Sequence, residues 1–383
     1  MDIYLVGGAV RDKQLGLEIH ERDWVVVGAT VDEMLSQGYQ PVGKDFPVFL
    51  HPQTKEEYAL ARTERKTGPG YTGFEVIADP GISLEEDLLR RDLTINAMAE
   101  TPDGRLVDPY GGATDLADGL LKHVSPAFAE DPVRILRIAR FAARFAHMGF
   151  HVAHSTNTLM RKMVASGEIN HLVPERVWAE LYKTLNTQTP ARFFDVLDGC
   201  GALTVLLPQL APRFQQPDQG THNHDNRLAV LTAATGISNE TTVRFAALAC
   251  DIHADTDYKW LDEICTQYRI PNKYRELAGM TLKYRSHIHG IGEMSANDLH
   301  DLLVNLDAFR RASRLDNFLL VCEADARAAQ PGLISYPQAE VVLRALHAAV
   351  DVAIDTHGKA GKEIGKAIKQ ARISAIDTVI SSA

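Results

Sequence analysis

Two acidic side chains stand two positions apart, Glu21 and Asp23, where the β-branched run 24–27 begins. Side chains two positions apart on a strand project from the same face, so we expect the two carboxylates to lie together. Like charges at that spacing repel unless a cation lies between them, and a divalent metal that also binds phosphate oxygens is the usual reason for such a pair. In isolation, however, the pattern is more typical of a solvated acidic loop end.

A glycine-rich turn lies shortly upstream, with the sequence Gly-Gly-Ala-Val-Arg-Asp at residues 7–12 directly after the apolar run 3–6. The two glycines let the backbone approach a ligand, and the N-terminus of a following helix offers N–H groups to an anion. Arg11 adds a planar charged group suited to phosphate oxygens. A Gly-Gly pair alone is more typical of a tight turn, but a glycine turn followed by a same-face carboxylate pair favours a phosphate site.

Two further segments are rich in arginine. Residues 84–98 are predicted to be helical, so the adjacent arginines at 90 and 91 should point to different sides, one toward a triphosphate. Residues 131–145 predict a strongly amphipathic helix, on which Asp131 and Arg134 are i, i+3 neighbours. Four arginines continue one face of that helix: Arg134, Arg137, Arg140 and Arg144. Arginines rather than lysines favour planar bidentate recognition, although a solvated basic face would give the same pattern.

The elements that must position these residues form a mixed α/β region followed by a long helical one. Short strands are predicted at residues 3–6, 24–27, 47–50 and 58–61, and helices dominate from residue 126 onward. The polar stretch 215–226 is a linker candidate. The 383 residues are 45% hydrophobic and 23% charged, which is typical of a folded protein rather than a disordered one.

Composition excludes several classes of protein. No apolar run approaches the roughly 20 residues needed to cross a bilayer, and residues 1–8 do not form a signal peptide. Four dispersed cysteines, Cys200, Cys250, Cys265 and Cys322, fit a reducing cytosol. The net charge of −10 argues weakly against a nucleic-acid binder, but a global sum cannot detect a local basic surface.

The four motifs, in this order and spacing, resemble those of the class II tRNA nucleotidyltransferases, the bacterial CCA-adding enzymes of the polymerase-beta-like superfamily. Further matches lie at residues 45–51, 61–66, 108–110 and 174–178, and the resemblance is dense over roughly residues 1–210. It implies an α+β fold, with a polymerase-beta-like nucleotidyltransferase head and an all-α remainder. The implied domains are a head at 1–125, a nucleotide-selecting neck at 126–190, a helical body at 191–345 and a basic tail at 346–383.

The resemblance implies template-independent addition of C-C-A to the 3′ end of tRNA in the cytoplasm, with CTP and ATP as substrates and release of pyrophosphate. It also implies a two-metal mechanism with Mg²⁺. The implied roles are metal binding and catalysis by Glu21 and Asp23, triphosphate binding by Gly8, Arg11 and Arg91, ribose recognition by Asp92, base recognition by Asp131 and Arg134, and completion of the nucleotide pocket by Arg137 and Arg140. Glu57, on the next strand, is a candidate third carboxylate.

Base choice also has a physical argument. Cytosine and adenine both present an exocyclic amine beside a ring-nitrogen acceptor, so a carboxylate and a guanidinium together fit either base. Guanine and uracil show the reverse pattern and would leave polar groups unpaired, at a cost of about 1–3 kcal/mol per group. Asp131 and Arg134 are therefore predicted to select C and A without a template.

The sequence departs from the family pattern at two places. Glu21 stands where the family often has aspartate, which keeps the charge and adds one methylene. Related heads often precede a phosphohydrolase module, but its His-Asp doublet is here Cys250-Asp251 and its upstream histidine falls near Asn226. We therefore predict that phosphohydrolase activity is absent. A rearranged site is the alternative, built from His222, His224, Asp251 and His253.

The C-terminal segment carries a basic stripe at helical spacing, which is either a contact for the tRNA backbone or a solubilising helix face. Its members are Lys359, Lys362, Lys366, Lys369 and Arg372. Competing functions are a partial A-adding or CC-adding enzyme, a bacterial poly(A) polymerase, and a non-catalytic RNA-binding protein. The segment 62–73 argues against CC-only addition, residues 43–45 disfavour the poly(A) polymerase, and the acidic pair with its arginines argues against a non-catalytic protein.

Overall fold

The structure is a computed structural model that describes residues 1–42, 48–66, 68, 74–215, 227–252, 258–353, 357 and 360–381. Within these residues the chain divides into two compact units. The first comprises residues 1–184 and 192–206, and the second comprises residues 185–191 and 207–383. The predicted boundary at 345/346 falls inside a helix, Pro337–Asp351, and most of the linker candidate, residues 216–226, lies outside the described residues.

A mixed sheet built from seven of the described strands forms the centre of the first unit, in the order β3-β4-β5-β2-β1-β8-β9. Its strands are β1 (Asp2–Val6), β2 (Asp23–Val27), β3 (Gln40–Pro41), β4 (Val48–Leu50), β5 (Glu57–Leu60), β8 (Ala99–Glu100) and β9 (Leu106–Val107). The β2–β5 pair is parallel and the other pairs are antiparallel. The smaller pairings are β6 (Arg62–Lys66) with β7 (Phe74–Ala78), and β10 (Leu120–Leu121) with β11 (His151–Val152).

Alternation along β2 separates two apolar clusters on the faces of the sheet. Val25 packs in a cluster with Val6 and Leu88, whereas Val26 packs in another with Phe49. Because side chains alternate along a strand, Asp23 projects from the same face as Val25. The register places Asp23 opposite Val6 on β1 and opposite Glu57 on β5. The end of β2 thus brings acidic side chains to one edge of a well-packed sheet.

The helices of the first unit surround this sheet. They are α1 (Gly8–Gln14), α2 (Val31–Ser36), α3 (Leu84–Leu89), α4 (Gly112–Ala117), α5 (Val133–Phe145), α6 (His154–Ala165), α7 (Pro174–Leu185), α8 (Ala191–Gly199) and α9 (Ala202–Leu206). The three boundaries between the units fall at the end of α7, at the start of α8 and at the end of α9. Helix α3 begins with a capping box, in which the side chains of Ser83 and Glu86 each accept the other's backbone N–H, and this fixes where the helix starts.

The described part of the second unit is helical. Its helices are α10 (Ala211–Gln215), α11 (Ala229–Ile237), α12 (Thr241–Asp251), α13 (Lys259–Gln267), α14 (Asn272–His289), α15 (Ala296–Asn305), α16 (Ala312–Ala329), α17 (Pro337–Asp351) and α18 (Lys362–Ile380). The α+β fold class, with a mixed-sheet head and a helical remainder, is confirmed. In the described part of the chain, no helix is both long and apolar enough to cross a bilayer.

One predicted element is wrong in its extent. The helix expected over residues 84–98 ends at Leu89, and after a bend the chain forms a short 3-10 turn at Thr94–Asn96. The side chain of Asp92 accepts the backbone N–H of Leu93 and so competes with helix continuation. Arg90 and Arg91 therefore do not lie on opposite sides of a helix. Both turn back toward Asp87 on α3.

Candidate active site

A cleft of about 630 Å³ opens in the first unit and gathers most of the residues predicted from sequence. Its lining includes Gly8, Arg11, Glu21, Asp23, Glu57, Arg91, Asp92, Arg134, Arg137, Arg140 and Arg144. These residues come from α1, α5, β2, β5 and the segments that precede β2 and follow α3. The fold thus brings together groups that are separated by more than 120 positions in sequence.

The acidic wall of the cleft is the edge of the sheet. Asp23 is the first residue of β2, Glu21 precedes the strand, and Glu57 neighbours Asp23 on the parallel strand β5. Enclosure by the cleft raises the pKa of Asp23, the positive charge of Arg91 lowers it, and the negative charge of Glu21 raises it again. The three carboxylates therefore present hard oxygen donors to one space, where a divalent cation would relieve their mutual repulsion.

Gly7, just before α1, allows an arginine to approach the backbone closely. Its φ of +69° is a conformation that favours glycine, and a Cβ there would stand 2.8 Å from Nη1 of Arg91. Nη2 of Arg91 donates to the fully buried carboxylate of Asp87 at 3.2 Å. Asp87 also accepts from Nη2 of Arg90 at 2.7 Å. Glycine and aspartate together hold Arg91 against the floor of the cleft.

Asp92 lies at the centre of a buried polar network. Its Oδ2 accepts from Nε of Arg137 at 2.7 Å, and its Oδ1 accepts from Nδ2 of Asn96 at 3.0 Å. Burial alone would raise the pKa of Asp92, but Arg137 and Asn96 hold it well below its usual value. Asp92 is therefore an ionised acceptor whose orientation is fixed by partners on two elements.

The arginine face of α5 forms the opposite wall. The ring of Phe141 lies 4.3 Å from the Arg140 guanidinium carbon and 5.8 Å from that of Arg137, distances at which cation–π attraction operates. Arg140 is also paired with Glu180 of α7, and Nη2 of Arg134 donates to the backbone carbonyl of Arg90 at 2.7 Å. The basic face is thus engaged with protein partners and lines the cleft, rather than being a solvated surface.

Asp131 takes a different position from the other predicted residues, because it is not among those that line the cleft. Its carboxylate accepts from Nη1 and Nη2 of Arg176, on α7, at 3.1 and 2.8 Å. Oδ1 also accepts the backbone N–H of Val133, where α5 begins. This bidentate pair fixes the plane of the carboxylate one turn before Arg134.

Sequence reasoning missed several residues that the structure places in or beside the cleft. Gly7, rather than Gly8, has the positive φ that favours glycine, and Asn96 and Asp12 are buried partners of the predicted arginines. Phe141 also lines the cleft, and its ring contacts the guanidinium groups of Arg11 and Arg140. The spacing of the Phe-x-x-x-Phe pair behind the arginine face was the available signal for this contact.

The basic stripe of the C-terminal segment is only partly exposed as predicted. Lys362 and Lys366 on α18 are exposed and make no ion pair with any described residue. Lys369 donates to Asp301 at 2.8 Å, and the guanidinium of Arg372 stacks 4.0 Å from the ring centre of Phe309. Lys359 lies outside the described residues. Two of the predicted RNA contacts are therefore engaged within the second unit.

The position of the expected phosphohydrolase doublet is buried. Asp251, fully buried at the end of α12, accepts the backbone N–H groups of Val230 and Leu231 at 3.1 and 2.9 Å, where α11 begins. Burial raises its pKa to about 7, against the effect of these hydrogen bonds. Burial also raises the pKa of the Cys250 thiol. His222, His224, Asn226 and His253 lie outside the described residues.

Comparison with known proteins identifies the family. A model described as "Poly A polymerase head domain" matches residues 3–122, and one described as "Probable RNA and SrmB- binding site of polymerase A" matches residues 149–214. The multifunctional CCA protein of Thioalkalivibrio sulfidiphilus is 51% identical over 98% of each chain, and that of Nitrosococcus oceani is 50% identical over 99% of each. This chain belongs to the multifunctional CCA protein family.

The fold agrees with that membership. The Thermotoga maritima CCA-adding enzyme, whose structure is solved in complex with tRNA, has 20% sequence identity to this chain. The two structures align with a TM-score of 0.66 over 100% of this chain and 91% of the Thermotoga maritima chain. The chain is accordingly a tRNA nucleotidyltransferase of the kind that adds C-C-A without a template. Enzymes of this class depend on a metal ion.

Proposed function

We propose that the cleft of the first unit is the site at which this chain adds C-C-A, with the nucleotide held between the acidic edge of the sheet and the arginine face of α5. The observation that carries the proposal is that Glu21 and Asp23 face the same 630 Å³ space as Arg91, Asp92 and Arg137. Carboxylates that hold a cation opposite groups that bind phosphate and ribose are what phosphoryl transfer requires.

We propose that Glu21 and Asp23 hold two Mg²⁺ ions, with Glu57 as a third carboxylate. The donor chemistry fits, because carboxylate and phosphate oxygens are the ligands that Mg²⁺ prefers. Among the described residues no set of three or more histidine, cysteine, aspartate or glutamate side chains is arranged to hold a metal alone. Nucleotide phosphates and water would therefore complete the coordination. Bound Mg²⁺ would stabilise the attacking oxygen and the charge that develops on the triphosphate.

The proposed contacts with the triphosphate and the ribose follow from the chemical groups that line the cleft. Gly8, Arg11 and Arg91 would bind the triphosphate, since their positions by the start of α1 combine backbone N–H groups with two guanidinium groups. Asp92 would accept a hydrogen bond from the ribose 2′-hydroxyl, because its carboxylate is kept ionised and oriented. Arg137 and Arg140, fixed by Asp92 and Glu180, would close the pocket around the nucleotide.

Base selection is proposed to rest on Asp131 and Arg134. Arg176 holds the Asp131 carboxylate through both oxygens, and Oδ1 also accepts the Val133 N–H, so the second lone pair of Oδ2 is the one proposed to accept from an exocyclic amine. Arg134, one helical turn further, lines the cleft and supplies a donor for the ring nitrogen. The charge pattern of this pair complements cytosine and adenine.

We expect Asp131→Ala to relax base choice more than it lowers turnover. Losing the acceptor for the exocyclic amine should lower the preference for CTP and ATP over UTP and GTP about tenfold. Single-nucleotide incorporation kinetics with each of the four triphosphates measure this. Glu21→Gln is the matched comparison, because it should slow all four reactions and leave the preference unchanged. Equal discrimination by Asp131→Ala and the unmodified protein would contradict the assignment.

The function is tested by incubating the protein with tRNA that lacks its 3′ terminal nucleotides and sequencing the products. We expect CTP alone to add two residues, ATP alone to add none to this substrate, and both together to complete C-C-A. Addition that stops after C-C, or that requires tRNA already ending in C-C, would indicate a partial enzyme. A long adenylate tail would indicate a poly(A) polymerase, and binding without incorporation would indicate a non-catalytic protein.

Three further assignments extend the proposal beyond the cleft. Residues 1–125, 126–190, 191–345 and 346–383 are proposed as head, neck, body and tail. We propose that the basic stripe on α18 contacts the tRNA backbone through Lys362 and Lys366. These two lysines are exposed and form no ion pair with any other described residue. Four free, buried cysteines support a reducing compartment, so we place the enzyme in the cytoplasm.

A further inference from the structure

A continuous chain of buried hydrogen bonds crosses the floor of the cleft. Arg11 donates from Nε to Asp12 at 2.8 Å and from Nη1 to Oδ1 of Asn96. Asn96 then donates from Nδ2 to Asp92, and Asp92 accepts from Arg137. Arg11, Asp12, Asp92 and Asn96 are each less than 9% exposed. This series of hydrogen bonds connects α1, the 3-10 turn and α5, and Asn96 lies at its centre.

The residue type at position 96 is dictated by what stands on either side. A guanidinium has only donors and a carboxylate has only acceptors, so the residue between Arg11 and Asp92 must accept on one side and donate on the other. The short side chain of asparagine does both from one planar group, and its two neighbours fix which atom is the oxygen. Leucine would supply neither bond, and aspartate would set a second carboxylate against Asp92.

We propose that Asn96 is a positioning residue that fixes the spacing between the triphosphate and the ribose of the bound nucleotide by joining Arg11 to Asp92. In a nucleotide these two parts are covalently connected, so the groups that hold them must keep a constant separation. Arg11 lies on α1, whereas Asp92 lies in the segment after α3. Asn96, four residues beyond Asp92, is the amide that connects the two. This inference rests on the proposed roles of Arg11 and Asp92.

The test compares Asn96→Ser and Asn96→Asp with Thr94→Val. Serine is too short to bridge both partners, and aspartate keeps only the acceptor. Thr94 lies in the same 3-10 turn, is 2% exposed and donates to Asp115 at 2.7 Å. Its valine variant therefore removes a comparable buried hydrogen bond that does not belong to the chain across the cleft.

We expect both Asn96 variants to raise the KM for CTP and for ATP about tenfold with a smaller change in kcat, and to weaken the preference for CTP over 2′-deoxy-CTP. Thr94→Val should lower the melting temperature about as much as the Asn96 variants do. It should leave KM and the preference for CTP over 2′-deoxy-CTP within about twofold of the unmodified protein. The inference is overturned if Asn96→Ser keeps the KM and ribose preference of the unmodified protein, or if Thr94→Val changes them equally.

Calorimetric titration with CTP and with 2′-deoxy-CTP, without tRNA, separates this inference from the proposed function. If the unmodified protein binds CTP but extends no tRNA, the proposed function fails while the Asn96 variants still report on the connection. If the protein extends tRNA normally and Asn96→Ser binds both nucleotides as the unmodified protein does, only the inference about Asn96 fails.

Discussion

Asp23→Asn should lower kcat/KM for CTP and for ATP by at least about 1000-fold, which corresponds to about 4 kcal/mol of lost transition-state stabilisation. Asparagine keeps the size of the side chain but removes the charge that is proposed to hold the cation beside the reacting phosphate. Asp23 opens β2 and lines the cleft, where its neighbours are Glu21 and Glu57. Steady-state extension of truncated tRNA at saturating Mg²⁺ measures the effect.

The matched control is Asp2→Asn. Asp2 is exposed at the other end of the β1–β2 pair, where it lies opposite Val27, so the same substitution is made in the same sheet far from the cleft. It should retain kcat/KM within about twofold, as surface substitutions usually do. Full extension of tRNA by a protein in which both Glu21 and Asp23 are neutralised would refute the catalytic assignment.

The second large effect is expected from Asp87→Ala, which should lower the stability of the first unit. Asp87 is fully buried and is the common acceptor for Arg90 and Arg91, so its removal leaves two largely buried guanidinium groups without this carboxylate. Breaking a buried ion pair costs about 3–5 kcal/mol, and we expect about 3 because both arginines keep some exposure to the cleft. The melting temperature of the first unit should fall by about 6–12 °C.

Differential scanning calorimetry measures this change. The control is Glu85→Ala, which alters an exposed residue of the same helix and should leave the melting temperature of the first unit within about 2 °C of the unmodified protein. Burial opposes ionisation, but Arg90 and Arg91 hold the pKa of Asp87 below its usual value. The stabilisation is therefore fully present at neutral pH and is lost as the pH falls below about 3.9, the value for an unfolded aspartate. A variant that melts like the unmodified protein at pH 7 would contradict this role.

Local patterns were sufficient to predict the elements that carry the acidic pair and the arginine face. The strand after Glu21 and the helix over 131–145 appear as β2 and α5, because alternation and helical periodicity are properties of a short segment. The helix over 84–98 was wrong because the side chain of Asp92 accepts a backbone N–H that a helix would use internally. Sequence spacing does not show which side chain competes for a backbone group.

Local sequence patterns could not predict which charged side chains pair with each other around the cleft. Asp12 with Arg144 joins residues 132 positions apart, and Asp131 with Arg176 joins residues 45 positions apart. Such pairs depend on how helices pack against the sheet, which periodicity leaves open. The family resemblance predicted most of the residues that the structure gathers in the cleft, but it did not predict Asn96 or Asp87, since both contact other side chains of the site.

Among the described residues that line the cleft, nine carry positive charge and four carry negative charge, a surplus of five in a protein whose net charge is −10. Eight of the nine positive groups are guanidinium groups, and those of Arg11, Arg137 and Arg140 lie 5.2, 5.8 and 4.3 Å from the ring centre of Phe141. Buried carboxylates behind the lining pair with several of these arginines, but the like charges of the lining still repel one another. Anions that bind in the cleft reduce this repulsion, so sulfate and pyrophosphate should compete with the nucleotide and should also raise the melting temperature of the first unit. The attraction that captures the nucleotide should also retain the pyrophosphate product, so we expect added pyrophosphate to slow each addition step in competition with CTP and ATP.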